Sequence, residues 1–466
     1  MRASLQSLVP ATFYLWFGGA SVLLLALLVP PFQAPDEQQH FYRSYQLSKG
    51  EVWPRINDHR AGSELPVSIP ELVERFLGTT TLHTDRKLSR QPIVETFAEL
   101  RRPLRPERSE FVEFGTVSYA PFQYLPQAGA IAIGRTIGAG PLVLFYLARV
   151  ANALTALTLT YWALRMLPLG TRFALVVALL PMTQFLLGSC SPDATTIAGA
   201  MLYAAITVRA IIDGAWSGRR TVVALCSGIL MCTIKVVLFP LLATGVAMVL
   251  TGPRRPVHLR TAMVSQIVVG LAVLGITCFW FWSIGGLGGT PSEGVHPAKQ
   301  LAYVTNAPLH FLVIIVRSLY AHGDVLWRST IGLLGWLTLP LPRWTYWAVT
   351  IAAMAAIWSE PKQEWMSSLA IAWLLNLAMA SVILTELALY VTYTRLQWPT
   401  VEGVQGRYFI PILPFMGAPL ACFVRKHVQP YGIDVLYFAV LASLVVVTVS
   451  MYLTLMRGYA LHWRFT

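Results

Sequence analysis

Charged residues are scarce in this sequence. Only 12% of its 466 residues are Asp, Glu, Lys or Arg, and 55% are hydrophobic. A soluble domain usually carries about 25% charged residues. An ionised side chain in the middle of a bilayer costs several kcal/mol, so a deficit of this size is expected of a chain whose solvent is largely lipid. The composition therefore argues against a string of soluble domains and predicts one polytopic membrane protein.

Cysteine is scarce too, and its placement indicates no redox or metal framework. The five cysteines lie in apolar runs or at their ends, as is typical of small buried side chains. Walker A, HExxH, GxSxG and dinucleotide-binding fingerprints are missing from the sequence. The net charge of +13 comes without a basic patch interleaved with aromatics, so it favours cytoplasmic anchoring over nucleic-acid binding. The cysteines are Cys190, Cys226, Cys232, Cys278 and Cys422.

Long apolar runs are abundant instead. A helix needs about 20 apolar residues to cross the hydrocarbon core, and eleven runs meet or approach that length. Pro30, Pro31 and Phe32 follow the first run in place of a small-x-small cleavage site, so we interpret it as an uncleaved span. The predicted fold is all-α and polytopic, with about 11 spans in a range of roughly 10–13. The runs are 8–29, 146–165, 172–189, 194–212, 220–236, 237–251, 261–284, 343–358, 366–390, 405–424 and 432–456.

The short connections between these runs predict the orientation. If Arg2 is cytoplasmic, every second connection should carry Lys or Arg, and it does. The pattern predicts a cytoplasmic N-terminus, a C-terminus outside, and an outer face that carries the long polar segments. The basic residues, in chain order, are Arg165, Arg172, Arg209, Arg219, Arg220, Arg254, Arg255, Arg260, Lys362, Arg425 and Lys426.

Two long segments lie outside the membrane in this topology. They are 31–145 and 285–342, and they separate a first span at 1–30 from transmembrane helices at 146–284 and 343–466. Each contains an apolar stretch that is short or carries arginine, which is typical of a helix lying on the membrane surface. The alternative is that both stretches cross the membrane, which preserves the final orientation. The two stretches are 121–140 and 301–320.

A polar motif, Pro-Asp-Glu-Gln-Gln-His at 35–40, follows the first span directly. Asp36 and Glu37 are adjacent carboxylates, and His40 lies one helical turn beyond Asp36. Carboxylates at a membrane surface can accept a proton or hold a divalent cation. The alternative interpretation is a helix that simply begins with acidic, solvated residues.

Three further charged residues lie at the outer ends of predicted spans. Asp193 either serves a site or caps the next helix, and Lys235 either contacts an anion or snorkels to the interface. Arg407 either binds phosphate bidentately or anchors its helix. Together with Asp36 they come from four distant parts of the chain, and the topology places all of them at the outer leaflet. Acids and bases gathered there suit a reaction on a lipid-linked phosphate.

The motifs resemble those of a known family. The run from Pro30 to Leu47 resembles the opening motif of a bacterial family of predicted membrane proteins of unknown function. The resemblance continues in the family's order over nearly the whole chain. That family in turn resembles the GT-C glycosyltransferases, polytopic enzymes that take a sugar from a polyprenyl-phosphate carrier on the outer face of the membrane. The further matching stretches are 119–127, 189–193, 332–337 and 403–411.

The resemblance implies a multi-pass glycosyltransferase of the bacterial inner membrane with its active face in the periplasm. The donor would be a polyprenyl-phospho-sugar, and the acceptor a cell-envelope glycan or a lipid-linked saccharide. Asp36 would be the general base, tuned by Glu37 and His40, and Asp193 would bind the acceptor or a metal. The candidate ligands of the donor phosphate are Lys235, Arg407 and Arg149, and further substrate contacts are Tyr119, Tyr124, Gln405 and Tyr408.

Three matters stay open at this point. The chain lacks a clear DxD or ExD, so a divalent cation such as Mg²⁺ or Mn²⁺, held by Asp36 and Asp193, is neither required nor excluded. A flippase or transporter of lipid-linked sugars is an alternative, and it predicts ionisable groups at the middle of the bilayer on broken helices. A non-catalytic protein of envelope assembly is another.

Overall fold

The computed structural model describes most of the chain as helices. Four of the basic residues that predicted the orientation, Arg2, Arg254, Arg255 and Lys362, lie outside the described residues. The described ranges are 10–58, 60–80, 98–250, 259–285, 293–360, 366–427 and 433–459.

The first helix leads into a mixed extramembrane unit. Helix α1 (Pro10–Leu28) contains a π-helical turn at Tyr14–Gly18. Three strands then form an antiparallel sheet in the order β1-β2-β3, within a segment whose fold the sequence left undefined. The last helix of the unit has 12 residues and spans only about 18 Å, too short to cross a core of about 30 Å. The elements are α2 (Glu37–Ser48), β1 (Arg55–Asn57), β2 (Arg60–Pro66), α3 (Ser68–Thr80), β3 (Ser109–Glu113) and α4 (Leu125–Thr136).

The next five helices form the centre of the bundle. The predicted span at 172–189 is not one continuous helix, because two short helices replace it. Leu180 has an extended ψ of 135° immediately before Pro181, and a residue before proline disfavours the helical conformation. The helices are α5 (Pro141–Met166), α6 (Thr171–Ala178), α7 (Pro181–Leu187), α8 (Asp193–Asp213) and α9 (Gly218–Cys232). Nearly every side chain of α8 is buried, because both α5 and α9 pack against it.

The following segment departs most from the prediction. The predicted span at 237–251 is largely a 3₁₀-helix, Val236–Val246, with Pro240 inside it, before a short α10 (Ala247–Leu250). Next come α11 (Leu259–Ser283), α12 (Pro297–Asn306) and α13 (Pro308–Ile331).

Helix α13 covers the stretch that we expected on the membrane surface. It has 24 residues and is apolar enough to cross a membrane. It exposes large apolar side chains such as Leu309 and Val316, as a lipid-facing helix does. The structure favours the surface interpretation for 121–140. Helix α13 meets a criterion of length and composition alone, while Phe311 near its start packs on Tyr390 and Ser329 near its end accepts from the Gly406 N–H, so both of its ends contact the outer side of the predicted topology.

The remaining elements complete the bundle around a broken helix. The 3₁₀-helix Gly406–Ile412 meets the helix after it at an angle of 64°. The described elements in order are β4 (Leu333–Leu334), β5 (Leu339–Pro340), α14 (Arg343–Ser359), α15 (Ser368–Thr392), the 3₁₀-helix, α16 (Pro414–His427) and α17 (Ile433–Gly458).

Seven helices within the described ranges are long and apolar enough to cross a membrane, and the bent pair would make an eighth. The polytopic all-α class is confirmed. The expected count of about 11 is met only in part, because several predicted runs give broken helices or helices shorter than 18 residues, such as α9 and α14. The seven are α1, α5, α8, α11, α13, α15 and α17.

Candidate functional site

The four charged residues that the topology placed at one level lie in contact with one another. Arg407 bridges two carboxylates, with Nη2 at 3.5 Å from Oδ2 of Asp36 and Nη1 at 3.6 Å from Oδ2 of Asp193. Lys235 Nζ lies 2.5 Å from Oδ1 of Asp193. We call these four residues the charged cluster. Two cations and two carboxylates balance its formal charge.

Asp36 is the open member of the charged cluster. Its side chain is 45% exposed, whereas that of Arg407 is 6% exposed. It occupies the left-handed region, with φ 60° and ψ 12°, immediately before α2. Aspartate tolerates this conformation better than most residues with a Cβ. Its carbonyl oxygen accepts hydrogen bonds from the backbone N–H groups of Gln39 and His40, so the start of α2 fixes its position.

Asp193 begins α8 but does not cap it. The residue at the cap position is Pro192, and no side chain caps the helix. The Asp193 carboxylate contacts Lys235 and Arg407 instead. The loop before it is held by Asn152 of α5, which donates to the carbonyl oxygens of Ser189 and Ser191 at 2.8 Å each.

The two cations come from the starts of the two 3₁₀-helices. Lys235 directly precedes Val236–Val246, and Arg407 is the second residue of Gly406–Ile412. Gly406 lets this backbone approach α13, since a Cβ there would lie 2.2 Å from the carbonyl oxygen of Leu326.

Tyr408 and Gln405 flank the cations. The Tyr408 ring centroid lies 5.4 Å from Lys235 Nζ and 5.4 Å from Arg407 Cζ, within the range of cation–π attraction. Arg407 Nε donates to Gln405 Oε1 at 2.7 Å. The guanidinium is therefore oriented by its neighbours in sequence before any ligand arrives.

The aromatic turn, residues 118–124, and His40 form one wall beside the cluster. His40 Nδ1 and the Tyr124 hydroxyl are 2.9 Å apart, and the Tyr119 ring lies 6.3 Å from the His40 ring. Burial lowers the pKa of His40 to about 3, and the charges of Arg407 and Lys235 act in the same direction, while that of Asp193 opposes them. Desolvation raises the pKa of Tyr119 to about 12, with a smaller contribution from Asp36. Near neutral pH the wall therefore presents a neutral imidazole and a protonated phenol.

We expect His40 to make the protein less stable in mild acid. Its pKa in the folded protein lies below the usual value of about 6.5, so on acidification the unfolded chain takes up this proton first. The free energy of unfolding should fall as the pH drops below about 6.5. His40→Gln should reduce this loss between pH 7.5 and pH 5, as measured by denaturant titration in micelles. His322→Gln, at an exposed histidine, is the control, and an unchanged pH dependence in His40→Gln would contradict the prediction.

Glu37 and Arg149 form a separate buried pair. Both side chains are 0% exposed, and Glu37 accepts from Arg149 at 2.8 and 2.7 Å. Glu37 also accepts from the backbone N–H of Cys190 at 2.8 Å. The three guanidinium nitrogens of Arg149 all donate, the remaining bonds going to the carbonyl oxygens of Ala26, Val29 and Pro30.

This pairing changes the positions expected for the two residues. Glu37 was expected beside Asp36 at the reacting groups, and Arg149 against the donor phosphate. The polar atoms of both side chains are hydrogen-bonded to each other and to the backbone, so neither side chain faces the charged cluster. They hold together the end of α1, the start of α2 and the loop before Asp193.

Gln123 is a polar residue that the sequence did not single out. Its side-chain amide donates to the carbonyl oxygen of Leu230 and to Thr233 Oγ1, each at 2.9 Å. It therefore ties the aromatic turn to the end of α9, just before Lys235. A signal was present in the sequence, since this glutamine stands between Phe122 and Tyr124 in the stretch 119–127 that matches the family. The structure buries it completely.

The charged cluster does not fit a divalent cation. In the described part of the chain, no group of three or more His, Cys, Asp or Glu side chains is placed to hold a metal ion. The guanidinium of Arg407 lies between Asp36 and Asp193, where a bridging ion would have to lie. Such an ion would also face the ammonium group of Lys235, and the repulsion between like charges at this range is strong.

Comparisons with known proteins give one family and one distant structural likeness. No curated protein matches the sequence significantly. The crystal structure of ArnT from Cupriavidus metallidurans bound to undecaprenyl phosphate aligns with 96% of this chain and 76% of its own, at 12% identity and a TM-score of 0.40. A likeness this weak carries no argument about activity. The profile of a family described as "Predicted membrane protein (DUF2142)" matches residues 20–416. This confirms the family expected from the motifs, and the chain belongs to the DUF2142 family of membrane proteins.

Proposed function

We propose that this protein is a glycosyltransferase of the GT-C type, which moves a sugar from a polyprenyl-phosphate carrier to a cell-envelope glycan or a lipid-linked acceptor. The observation that carries the proposal is the charged cluster itself. Two cations share one enclosed carboxylate, Asp193, while the second carboxylate, Asp36, stays open to an incoming group. In this proposal the cluster faces the periplasm from a bacterial inner membrane; the alternate basic connections support the outward side, and the resemblance to the GT-C enzymes supports the membrane.

The two cations suit the leaving group of the reaction. A polyprenyl-phospho-sugar carries a phosphodiester with one negative charge. When the bond between the anomeric carbon and the phosphate oxygen breaks, the polyprenyl phosphate gains a second charge. Lys235 and Arg407 would stabilise that charge as it develops, which is the most effective place for electrostatic catalysis. The cluster is neutral before the donor arrives. The donor phosphate can then replace the Asp193 carboxylate as the partner of the two cations.

Asp36 suits the role of general base. It would take the proton of the acceptor hydroxyl as that oxygen attacks the anomeric carbon. The new bond forms from the face opposite the departing phosphate, so one displacement inverts the anomeric centre. The electron pair of the broken bond leaves with the phosphate oxygen. The proton stays on Asp36 until solvent removes it. His40 is neutral and buried, so it would position Tyr124 rather than carry a proton.

The aromatic residues suit the sugar. Tyr119 and Tyr408 both border the charged groups, and rings of this kind pack against the apolar faces of sugars. Gln405 adds an amide next to Arg407. No step in this scheme passes through a metal ion.

The direct test is a transfer assay that does not require knowledge of the sugar. The full-length protein in nanodiscs would be given a panel of polyprenyl-phospho-sugars and envelope glycans, and the release of polyprenyl phosphate would be measured. We expect one donor to be consumed, and Arg407→Gln to lower turnover about 10²- to 10³-fold. Arg395→Gln is the matched control, because Arg395 pairs with Glu402 on the surface outside the cluster.

The same assay separates the alternatives. Movement of labelled carrier lipid across the membrane without a covalent change would replace the transferase by a flippase. Cells in which the Asp36, Asp193 and Arg407 variants all sustain envelope synthesis would indicate a non-catalytic assembly role.

A further inference from the structure

A groove on the side of the bundle lies far from the charged cluster. It has a volume of about 530 Å³, within the range of about 300–1,000 Å³ that is usual for small-molecule sites. Its floor is apolar and is built where α5, α8 and α9 meet. The floor residues are Leu159, Trp162, Leu202, Ile206 and Val223.

Arginines surround one end of the groove. Arg219 and Arg220, at the start of α9, line it directly, and Arg219 is exposed. Arg220 pairs with Asp213 and donates to the carbonyl oxygen of Ala215, so its charge is partly balanced. Arg165 lies over the Trp162 ring, with Cζ 5.8 Å from the centroid. Three arginines and one aspartate leave this end strongly positive.

Helix α8 connects this end of the groove with the charged cluster. It begins at Asp193 in the cluster and ends at Asp213 beside Arg220. Its 21 residues span about 30 Å, which is close to the thickness of a hydrocarbon core. The arginines therefore lie at the opposite membrane surface from the cluster, at the level where lipid headgroups occur.

We propose that this groove binds an anionic phospholipid, with the phosphate on Arg219 and an acyl chain along the apolar floor. Charge complementarity selects the occupant, because a basic mouth above an apolar channel between helices matches an anionic headgroup followed by a hydrocarbon chain. A zwitterionic lipid would fill the channel but gain little from the arginines. This site is independent of the proposed transferase reaction, since it lies at the other end of α8.

The test uses the full-length protein in mild detergent, titrated with phosphatidylglycerol and followed by native mass spectrometry. We expect Arg219→Gln to weaken binding about five-fold, the usual effect of one basic residue on an anionic lipid. Val223→Trp should weaken it as well by filling the channel while leaving the charges intact. Arg260→Gln is the matched control, because Arg260 is also an exposed arginine at the second position of a helix, α11, and should leave the affinity unchanged.

Three results would overturn the assignment. Equal affinity for phosphatidylcholine would show that the arginines do not select the headgroup. Displacement by millimolar inorganic phosphate would indicate a phosphate site without a lipid channel. Preference for polyprenyl phosphate over phosphatidylglycerol would assign the groove to the carrier lipid instead. Unchanged thermal unfolding of Arg219→Gln and Val223→Trp ensures that lost binding is not lost folding.

Discussion

Asp36→Asn is expected to lower sugar transfer about 10²- to 10⁴-fold, the usual contribution of a general base. Asparagine has nearly the same shape and also tolerates the left-handed backbone conformation at this position, so the start of α2 should be unchanged. Its amide cannot accept the acceptor's proton. Binding of polyprenyl phosphate should persist, because Lys235 and Arg407 remain and one nearby negative charge has gone. The release of polyprenyl phosphate and its direct binding would be measured side by side.

The chain offers a close control for this substitution. Asp58 lies in the same extramembrane unit, is exposed, and also has a positive φ, of 47°. Asp58→Asn makes the same chemical change in the same backbone conformation, away from the charged cluster, and should leave turnover unchanged. Turnover of Asp36→Asn near that of the wild type would rule out the base role.

Glu37→Gln is expected to lower the free energy of unfolding by about 3–5 kcal/mol. The substitution leaves the Arg149 charge fully buried without a counter-charge. It also weakens the acceptor of the Cys190 N–H. The neutral amide of Gln offsets little of the desolvation free energy of the buried Arg149 guanidinium. Denaturant unfolding in mixed micelles, followed by tryptophan fluorescence, would measure the change.

A double-mutant cycle separates the ion pair from simple packing. Glu37→Gln with Arg149→Met removes both charges, so the double variant should be less destabilised than the sum of the single variants. Asp324→Asn serves as control because the Asp324 carboxylate, paired with Arg328, is 67% exposed. Exposed pairs contribute about 0–1 kcal/mol. Additive single effects at positions 37 and 149 would mean that the charges do not stabilise each other.

The composition of the charged cluster could be predicted from the sequence, since it depends mainly on which ends of the spans face outward. Asp36, Asp193, Lys235 and Arg407 each lie at the outer end of an apolar run, and alternate basic turns placed these ends on one side. Errors in the number of spans did not change which residues were predicted to form the cluster. The runs that are short or broken in the structure still place their polar ends in it.

The pairing inside the site could not be predicted in the same way. The depth of a residue in the membrane does not determine in which direction its side chain points around the bundle axis. Glu37 was therefore grouped with its neighbour Asp36, although the two side chains contact different partners. Arg149 gave a usable signal, because an arginine inside an apolar run requires a counter-charge. The breaks in the helices could have been predicted from the sequence. Pro181 and Pro240 lie inside runs that were identified by hydrophobicity alone, and proline interrupts a helix.

The order in which the chain is made bears on how the site can be assembled. Glu37 and its partner Arg149 are 112 residues apart, which at about 5–20 residues per second is roughly 6 to 22 s of translation. Until Arg149 has been synthesised, the ionised Glu37 side chain has no counter-charge and stays hydrated outside the hydrocarbon core. Arg407 comes later still, in the bent segment before the last described helix, so Asp36 and Asp193 are synthesised long before the cation that bridges them. A nascent chain that ends before Arg407 therefore carries the two acids of the charged cluster without the guanidinium that joins them.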